Sequence, residues 1–293
     1  MTFGRKPRIL NVGLVGPWRG DLANHRVRVF WLIDSQEPTA RFDLLLVTFE
    51  GELPAEWAAA LQRALTAGTR VRHVGEYVES ERQRLTRTRF TSSDGERARS
   101  RVNRQRKAAL ERVVIIVSLP VSLLIGMAIA AAILLLMGRP ILFRQTRVGR
   151  DGIGFEMAKF RTMINPTVGG QVTLIDDPRV TPLGRLLRRY HADELPQLMN
   201  VMMGHMSLVG PRPEQPGLTK SYTLLAPAFA FRVLVPPGMT GLAQIQSGYA
   251  SDFLETELKL EHDLYYIKNQ SILFDAIILA RTALFLICGN EGR

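Results

Sequence analysis

Apolar positions fall along this chain in two rhythms. Residues 9–16 and 43–49 are short unbroken apolar runs bounded by turn residues, the pattern of strands buried on both faces of a parallel sheet. Residues 54–67 instead space Trp57, Leu61 and Leu65 at helical intervals behind Pro54, which predicts an amphipathic helix. With a third strand-like run at 70–74, residues 5–80 read as a small α/β unit around a partial Rossmann-like sheet. Farther on, residues 113–137 carry no charge at all; as a continuous helix they would extend about 37 Å, enough for a hydrocarbon core of about 30 Å.

Beyond the apolar run, residues 139–149 and 155–163 are strand-like and joined by the Gly-rich turn 150–154, which predicts a hairpin. Lys159 and Arg161 flank Phe160 and so share one face of it. Residues 165–178 are polar and Gly-containing, hence a loop that Asp176 and Asp177 decorate. Thr181-Pro182 opens a helix ending in Arg185, Arg188 and Arg189. Asp193 then reads as the N-cap, and Glu194 as the first turn, of a helix with Leu195, Leu198, Met199 and Met202 on one face. Residues 222–231 read as loosely packed, 254–267 as a helix, and 271–288 as an apolar helix lying in a membrane interface or packed on the domain.

Charge changes the picture. The 293 residues carry 38 Lys and Arg against 27 Asp and Glu, a net +11 that suits nucleic acid, an anionic membrane face or phosphorylated substrates. Residues 82–112 hold much of it and read as a linker whose second half is a basic helix on a membrane surface; Phe90 is its single aromatic, which argues against a stacking platform for nucleic acid. Arg104, Arg106, Lys107 and Arg112 precede the apolar run, and Arg139, Arg144, Arg147 and Arg150 follow it. Basic flanks favour the cytoplasmic side, so a helix entering and leaving on one face satisfies both, with Ser118, Pro120 and Gly126 as break points. From the residues alone, re-entry and crossing both stay open. Cys288 is the lone cysteine, which excludes an intramolecular disulfide, and residues 1–8 lack the apolar core of a signal peptide.

The candidate chemistry centres on Asp193 and Glu194. A helix start attracts anions, and two adjacent carboxylates beside a phosphate require a cation or guanidinium groups to tolerate it. Arg212, held between Pro211 and Pro213, is a stiff donor for such a phosphate, and Lys159 and Arg161 supply further charge. An Asp ahead of a helix is ordinarily only a cap, and His191 and His205 lack ligand-like spacing. The glycines of residues 12–17 do not give the dinucleotide spacing, and Pro17 removes an N–H, so the first unit reads as cofactor-free.

Six blocks then occur in order: Phe143-Arg144-Gln145 with Arg147-Val148-Gly149, Lys159-Phe160-Arg161-Thr162-Met163, Asp193-Glu194-Leu195-Pro196-Gln197, Leu208-Val209-Gly210-Pro211-Arg212-Pro213, Pro237-Gly238-Met239-Thr240-Gly241 and Asp263-Leu264-Tyr265-Tyr266. Together they resemble the bacterial sugar transferases, monotopic polyprenyl-phosphate phosphoglycosyl transferases that start exopolysaccharide, O-antigen or capsule synthesis. The resemblance implies an α/β N-terminal Rossmann-like domain (1–80), a basic interfacial segment (81–106) and an α+β monotopic membrane catalytic domain (107–293) with a re-entrant membrane helix over 113–137. It implies a UDP-sugar donor, an undecaprenyl phosphate acceptor, contact with membrane lipids rather than nucleic acid, and a catalytic domain on the cytoplasmic face of the bacterial inner membrane. A homo-oligomer is left open.

By the same resemblance Asp193 is the nucleophile that forms an aspartyl phosphosugar and releases UMP. Glu194 holds Mg²⁺, Lys159, Arg161 and Arg212 bind the phosphates, and Ser118 and Pro120 break the membrane helix. Arg144 and Arg147 are weaker candidates, as structural ties. The chain departs from the family pattern in three places: Ser118-Leu119-Pro120 replaces a Ser-Pro break, Pro236 stands where an Arg often precedes Pro-Gly, and Gln246-Ser247-Gly248 lacks a following Arg. The alternative is a non-catalytic membrane-anchored binding or regulatory protein on the same scaffold.

Overall fold

The computed structural model describes residues 10–15, 27–32, 42–48, 55–85, 89–164, 177–246 and 253–288, in two compact units, 1–89 and 90–293. Unit 1 holds strands β1 (Leu10–Val15), β2 (Val27–Leu32), β3 (Leu44–Val47) and β4 (Arg70–His73) in a parallel sheet of order β2-β1-β3-β4. Alternate residues serve opposite faces. Val12, Leu14, Leu44 and Leu46 pack with Val74, Tyr77 and Val78 of helix α2 (Val74–Arg82). Val15, Leu32 and Leu45 pack with Trp57, Ala60, Leu61 and Ala64 of α1 (Ala55–Thr66). The expected face of α1 needs one correction: Leu65 is 59% exposed, because Ala60 and Ala64 complete the stripe begun by Trp57 and Leu61. Strand β2 escaped the pattern because Arg28 interrupts it at the sheet edge.

Unit 2 opens where a linker was expected. Thr91 caps α3 (Ser92–Ala98) in a capping box with Asp94, so the Ser-Ser-Asp-Gly stretch starts a helix instead of a loop. Helix α4 (Arg101–Met137) is 37 residues long, about 55 Å, and joins the basic segment and the apolar run in one element. Neither Ser118 nor Pro120 ends it. The Ser118 hydroxyl donates to the Ile115 carbonyl at 3.1 Å and that of Ser122 to the Ser118 carbonyl at 2.9 Å, bonding back into the turns around the proline.

The hairpin is present as β5 (Leu142–Val148) and β6 (Gly154–Phe160), antiparallel around a 3-10 turn at Arg150–Gly152. There follow α5 (Pro182–Arg189), α6 (Gln197–Met202), β7 (Ser207–Val209) and α7 (Pro216–Leu225). After them come a 3-10 helix (Pro227–Leu234), β8 (Gly238–Thr240), α8 (Leu242–Gln246), α9 (Phe253–Asn269) and α10 (Ile272–Cys288). The segment 222–231 is therefore helical, with Phe229 buried against Tyr222 and under the Arg232 guanidinium.

Helix α4 is fastened near both ends to this unit. Lys107 Nζ sits 2.9 Å from Asp275 of α10 and donates to the Tyr266 hydroxyl and the Val209 carbonyl, each at 2.7 Å; Glu111 accepts from the Leu208 N–H and the Ser207 hydroxyl. At the other end Ile129 and Ile133 pack with Phe160 of β6 and Leu187 of α5. Between the fastenings Ile116, Val117, Val121, Leu123 and Leu124 are exposed. Among the described residues this is the one helix long and apolar enough to cross a membrane.

Candidate active site

Three short devices bring the site together. Thr181 caps α5 through the Gly184 N–H, and Gly184 lies directly on the Thr162 carbonyl, where a Cβ would overlap the oxygen. At the far end of α5, His191 takes a left-handed conformation (φ 50°) and turns the chain back toward β6. Asp193 and Glu194 therefore stand in a 3-10 turn, Ala192–Glu194, and α6 starts only at Gln197. The N-cap expected of Asp193 is corrected: Pro196 occupies the cap position, and the Asp193 side chain is freed from capping.

Asp193 is 5% exposed, yet its carboxylate makes no hydrogen bond and no ion pair with any described residue. Burial and the neighbouring charge of Glu194 push its pKa up, opposed by Lys159, Arg188 and His191. Glu194 is also buried, but the charge and hydrogen bond of Arg212, helped by His191 and Lys159, hold it below the ordinary carboxylate value. Arg212 Nη2 donates to Glu194 Oε1 at 2.9 Å. Glu194 Oε2 has no partner among the described residues. The Lys159 ammonium rests 5.7 Å from the Phe143 ring centre; burial lowers its pKa, and Asp193 is the strongest influence holding it up.

Arg212 is held from behind. Strands β7 and β8 pair in parallel with Gly210, Gly238 and Gly241 so close that a methyl on Gly238 would strike the backbone of Gly210. Gly238 N–H donates to the Pro211 carbonyl at 2.9 Å, fixing the Pro-Arg-Pro turn. The Arg212 carbonyl accepts from Arg232 Nη2 at 2.9 Å, and Arg232 Nε donates to buried Asp263 at 2.8 Å. Arg147 is a tie, as expected, donating to the Pro213 carbonyl and to Gln145 and lying 3.9 Å from Glu214; Arg144 pairs at 3.4 Å with Glu156 on an exposed surface. A small half-open cleft beside Arg212 is lined by Glu214, Thr219, Phe229 and Arg232.

Lys159, Asp193, Glu194 and Arg212 thus converge, and Arg161 does not join them. Its guanidinium is 3.1 Å from the Arg139 carbonyl, 2.6 Å from that of Gly138 and hydrogen-bonded to that of Met137, so its two terminal nitrogens serve the end of α4, while its buried Nε has no partner among the described residues. The cation that stands in its place is Arg188, hydrogen-bonded through Nε to Thr162 at 2.9 Å and acting on both Lys159 and Asp193. Its place in the basic end of α5 ahead of the acidic pair was a signal it shared with Arg185 and Arg189. Gln197 was also passed over: it is 2% exposed, and its amide nitrogen has no partner among the described residues. No group of three or more His, Cys, Asp or Glu side chains converges among them to form a ready metal cage. Asp176 and residues 247–248 lie outside the described residues, whereas Asp177 pairs with Arg179, which holds its carboxyl at about 2.

Known proteins place this geometry in context. The family described as bacterial sugar transferase matches residues 102–289. A UDP-N-acetylgalactosamine-undecaprenyl-phosphate N-acetylgalactosaminephosphotransferase of Aeromonas hydrophila is 33% identical over 275 residues, 92% of this chain and 65% of that protein. The UDP-glucose:undecaprenyl-phosphate glucose-1-phosphate transferase of Escherichia coli (strain K12) is 43% identical over 159 residues, 53% of this chain and 34% of that protein. Exopolysaccharide production protein PSS of Rhizobium leguminosarum bv. phaseoli is 38% identical over 161 residues, 52% of this chain and 80% of its own. The chain therefore spans just under two thirds of the Aeromonas relative and about a third of the E. coli one. With the matched region running from the first turn of α4 through α10 and enclosing every residue of the carboxylate and cation cluster, the chain belongs to the bacterial sugar transferase family.

Proposed function

We propose that this protein transfers a sugar 1-phosphate from a UDP-sugar to a polyprenyl phosphate such as undecaprenyl phosphate, releasing UMP, as the first step of surface-polysaccharide assembly. One observation carries the reading: Asp193 is buried, makes no hydrogen bond or ion pair with any described residue, and lies within the influence of the Lys159 and Arg188 cations. A largely buried carboxylate without a direct counter-charge is costly, and a site that keeps one near two cations is suited to receive a phosphoryl group. The names of the relatives support the donor and acceptor classes.

In this mechanism an Asp193 oxygen attacks the β-phosphorus of the donor. The bond from that phosphorus to the oxygen bridging the α-phosphate breaks, and UMP departs with the bridging oxygen. The aspartyl phosphosugar left behind is an acyl phosphate; an oxygen of the lipid phosphate attacks its phosphorus, Asp193 leaves as carboxylate, and the product is a polyprenyl diphosphosugar. Phosphoryl transfer depends chiefly on positioning and charge, which Lys159, Arg188 and Arg212 supply. Mg²⁺ fits the donor set to this extent: Glu194 keeps Oε2 unengaged while Arg212 holds Oε1, and Mg²⁺ commonly takes one or two carboxylates with substrate phosphates completing its shell. When bound there it would neutralise phosphate charge.

Topology follows the same reading. Lys107 and Glu111 near the start of α4, and Ile129 and Ile133 near its end, attach to one unit, which supports a helix that dips into the cytoplasmic leaflet and returns. The parallel order of unit 1, with helices on both faces of the sheet, supports a Rossmann-like domain. The test is UMP release across a panel of UDP-sugars with undecaprenyl phosphate in detergent. Release with at least one donor, abolished in Asp193→Asn together with labelling by a donor carrying radioactive sugar phosphate, is the expected result. Robust transfer by Asp193→Asn removes the nucleophile, and silence of the wild-type chain with every donor favours a non-catalytic role.

A further inference from the structure

The structure assigns Arg161 a positioning role: it fastens the C-terminus of the membrane helix to the strand that carries Lys159, so that the seating of α4 in lipid sets the cation geometry around Asp193. This rests on the transferase reading of the site. An α-helix leaves its last carbonyls unpaired and partly negative, and the last turn of α4 carries no basic residue of its own. Arg161, 8% exposed, supplies the missing charge from another element by hydrogen-bonding the Met137, Gly138 and Arg139 carbonyls together. Its own backbone N–H donates to the Ile141 carbonyl at 2.9 Å, so side chain and main chain both hold the exit from α4.

The neighbouring residues make this a coupling. Four consecutive positions each grip a different part of the site. Lys159 acts on Asp193, and Phe160 packs on Ile129 and Ile133 of α4 and on Leu187 of α5. Arg161 caps α4, and Thr162 accepts from Arg188 Nε through its hydroxyl and from the Thr181 N–H through its carbonyl. Any shift of the end of α4 is therefore delivered to both cations that face Asp193 through a stretch with no slack. The groups facing Asp193 are Lys159 from β6, Arg188 from α5, and His191 and Glu194 from its own turn; the first two hang on this stretch.

The test uses the full chain in lipid nanodiscs, comparing wild type, Arg161→Gln and Arg161→Lys, with Ile133→Ala to loosen the end of α4 without touching Arg161. Arg161→Gln is expected to lower kcat about tenfold to a hundredfold, the range for small misplacement of catalytic groups. KM for the donor should change by less than kcat, because the donor's own contacts stay while the charges around Asp193 are displaced. Arg161→Lys should recover part of the lost kcat, and Ile133→Ala should lower kcat with the same small change in KM. Amide hydrogen exchange, read whether or not a donor is turned over, should quicken together at residues 137–142 and 158–163 while α9 keeps its protection. A kcat that Arg161→Lys does not recover, or faster exchange at 137–142 alone, overturns the coupling. If Arg161→Gln exchanges fast everywhere, Ile133→Ala decides, and an unchanged kcat there overturns it equally. Wild-type silence in the UMP assay would instead refute the transferase reading, while the exchange pattern would still report on the link.

Discussion

At the scale of single residues, the site works by contrast between two adjacent acids. Arg212 neutralises Glu194 and keeps it ionised, whereas Asp193 is left without a direct partner among the described residues and its pKa rises. A nucleophilic carboxylate must be deprotonated, so turnover should fall as pH drops through a value above the ordinary range for Asp. Lys159→Met removes an opposing cation and should displace that acid limb further upward; a pH profile of UMP release measures it, and a limb that stays or moves down contradicts the arrangement. Under the proposed mechanism Arg188→Gln should cost about tenfold or more in kcat with KM for the donor less affected, since its charge acts on Asp193. Much of this was legible in the chain: the Asp-Glu pair, the Pro-Arg-Pro turn and Lys159 all stand together. Arg161 and Arg188 were not separable by composition or spacing, because a guanidinium that caps carbonyls and one that faces a carboxylate look identical in a one-dimensional pattern.

At the scale of elements, close backbone approaches explain positions that chemistry does not. Gly184 lets α5 lie on the Thr162 carbonyl, and Gly238 lets β8 lie on Gly210 behind Arg212. Gly184→Ala and Gly238→Ala should each destabilise unit 2 by about 1–3 kcal/mol through overpacking, read as a lowered melting temperature of the purified chain. Substitution at Gly217, which has open space around it, should leave the melting temperature nearly unchanged. The hairpin, α5, α9 and α10 could be read from periodicity and caps. The basic helix at the start of α4 was legible, but its continuity with the apolar run was not, because the first turns are basic and the later turns apolar, and no single rhythm spans both. Nor could α3, whose Ser-Ser-Asp-Gly composition suits a turn until Thr91 and Asp94 close a capping box.

At the scale of the molecule, the charge pattern and the two fastenings of α4 lead to one topological expectation. Cysteines at Arg104 and Arg150 in a Cys288→Ser background should both be shielded from an impermeant reagent added outside intact cells and both react after permeabilisation. Labelling of only one from outside would establish a crossing. The exposed apolar middle of α4 also predicts that high salt leaves the protein on membranes and detergent releases it.

The ion pair between Lys107 and Asp275 at one foot of this helix and the packing of Ile133 on Phe160 at the other have a mechanical outcome. Tied at both places to one unit, the helix is braced against sliding along its own axis. Under the proposed function, that bracing would fix the height of Asp193 above the acyl chains, and a long isoprenoid would have to bring its headgroup to that height to be served.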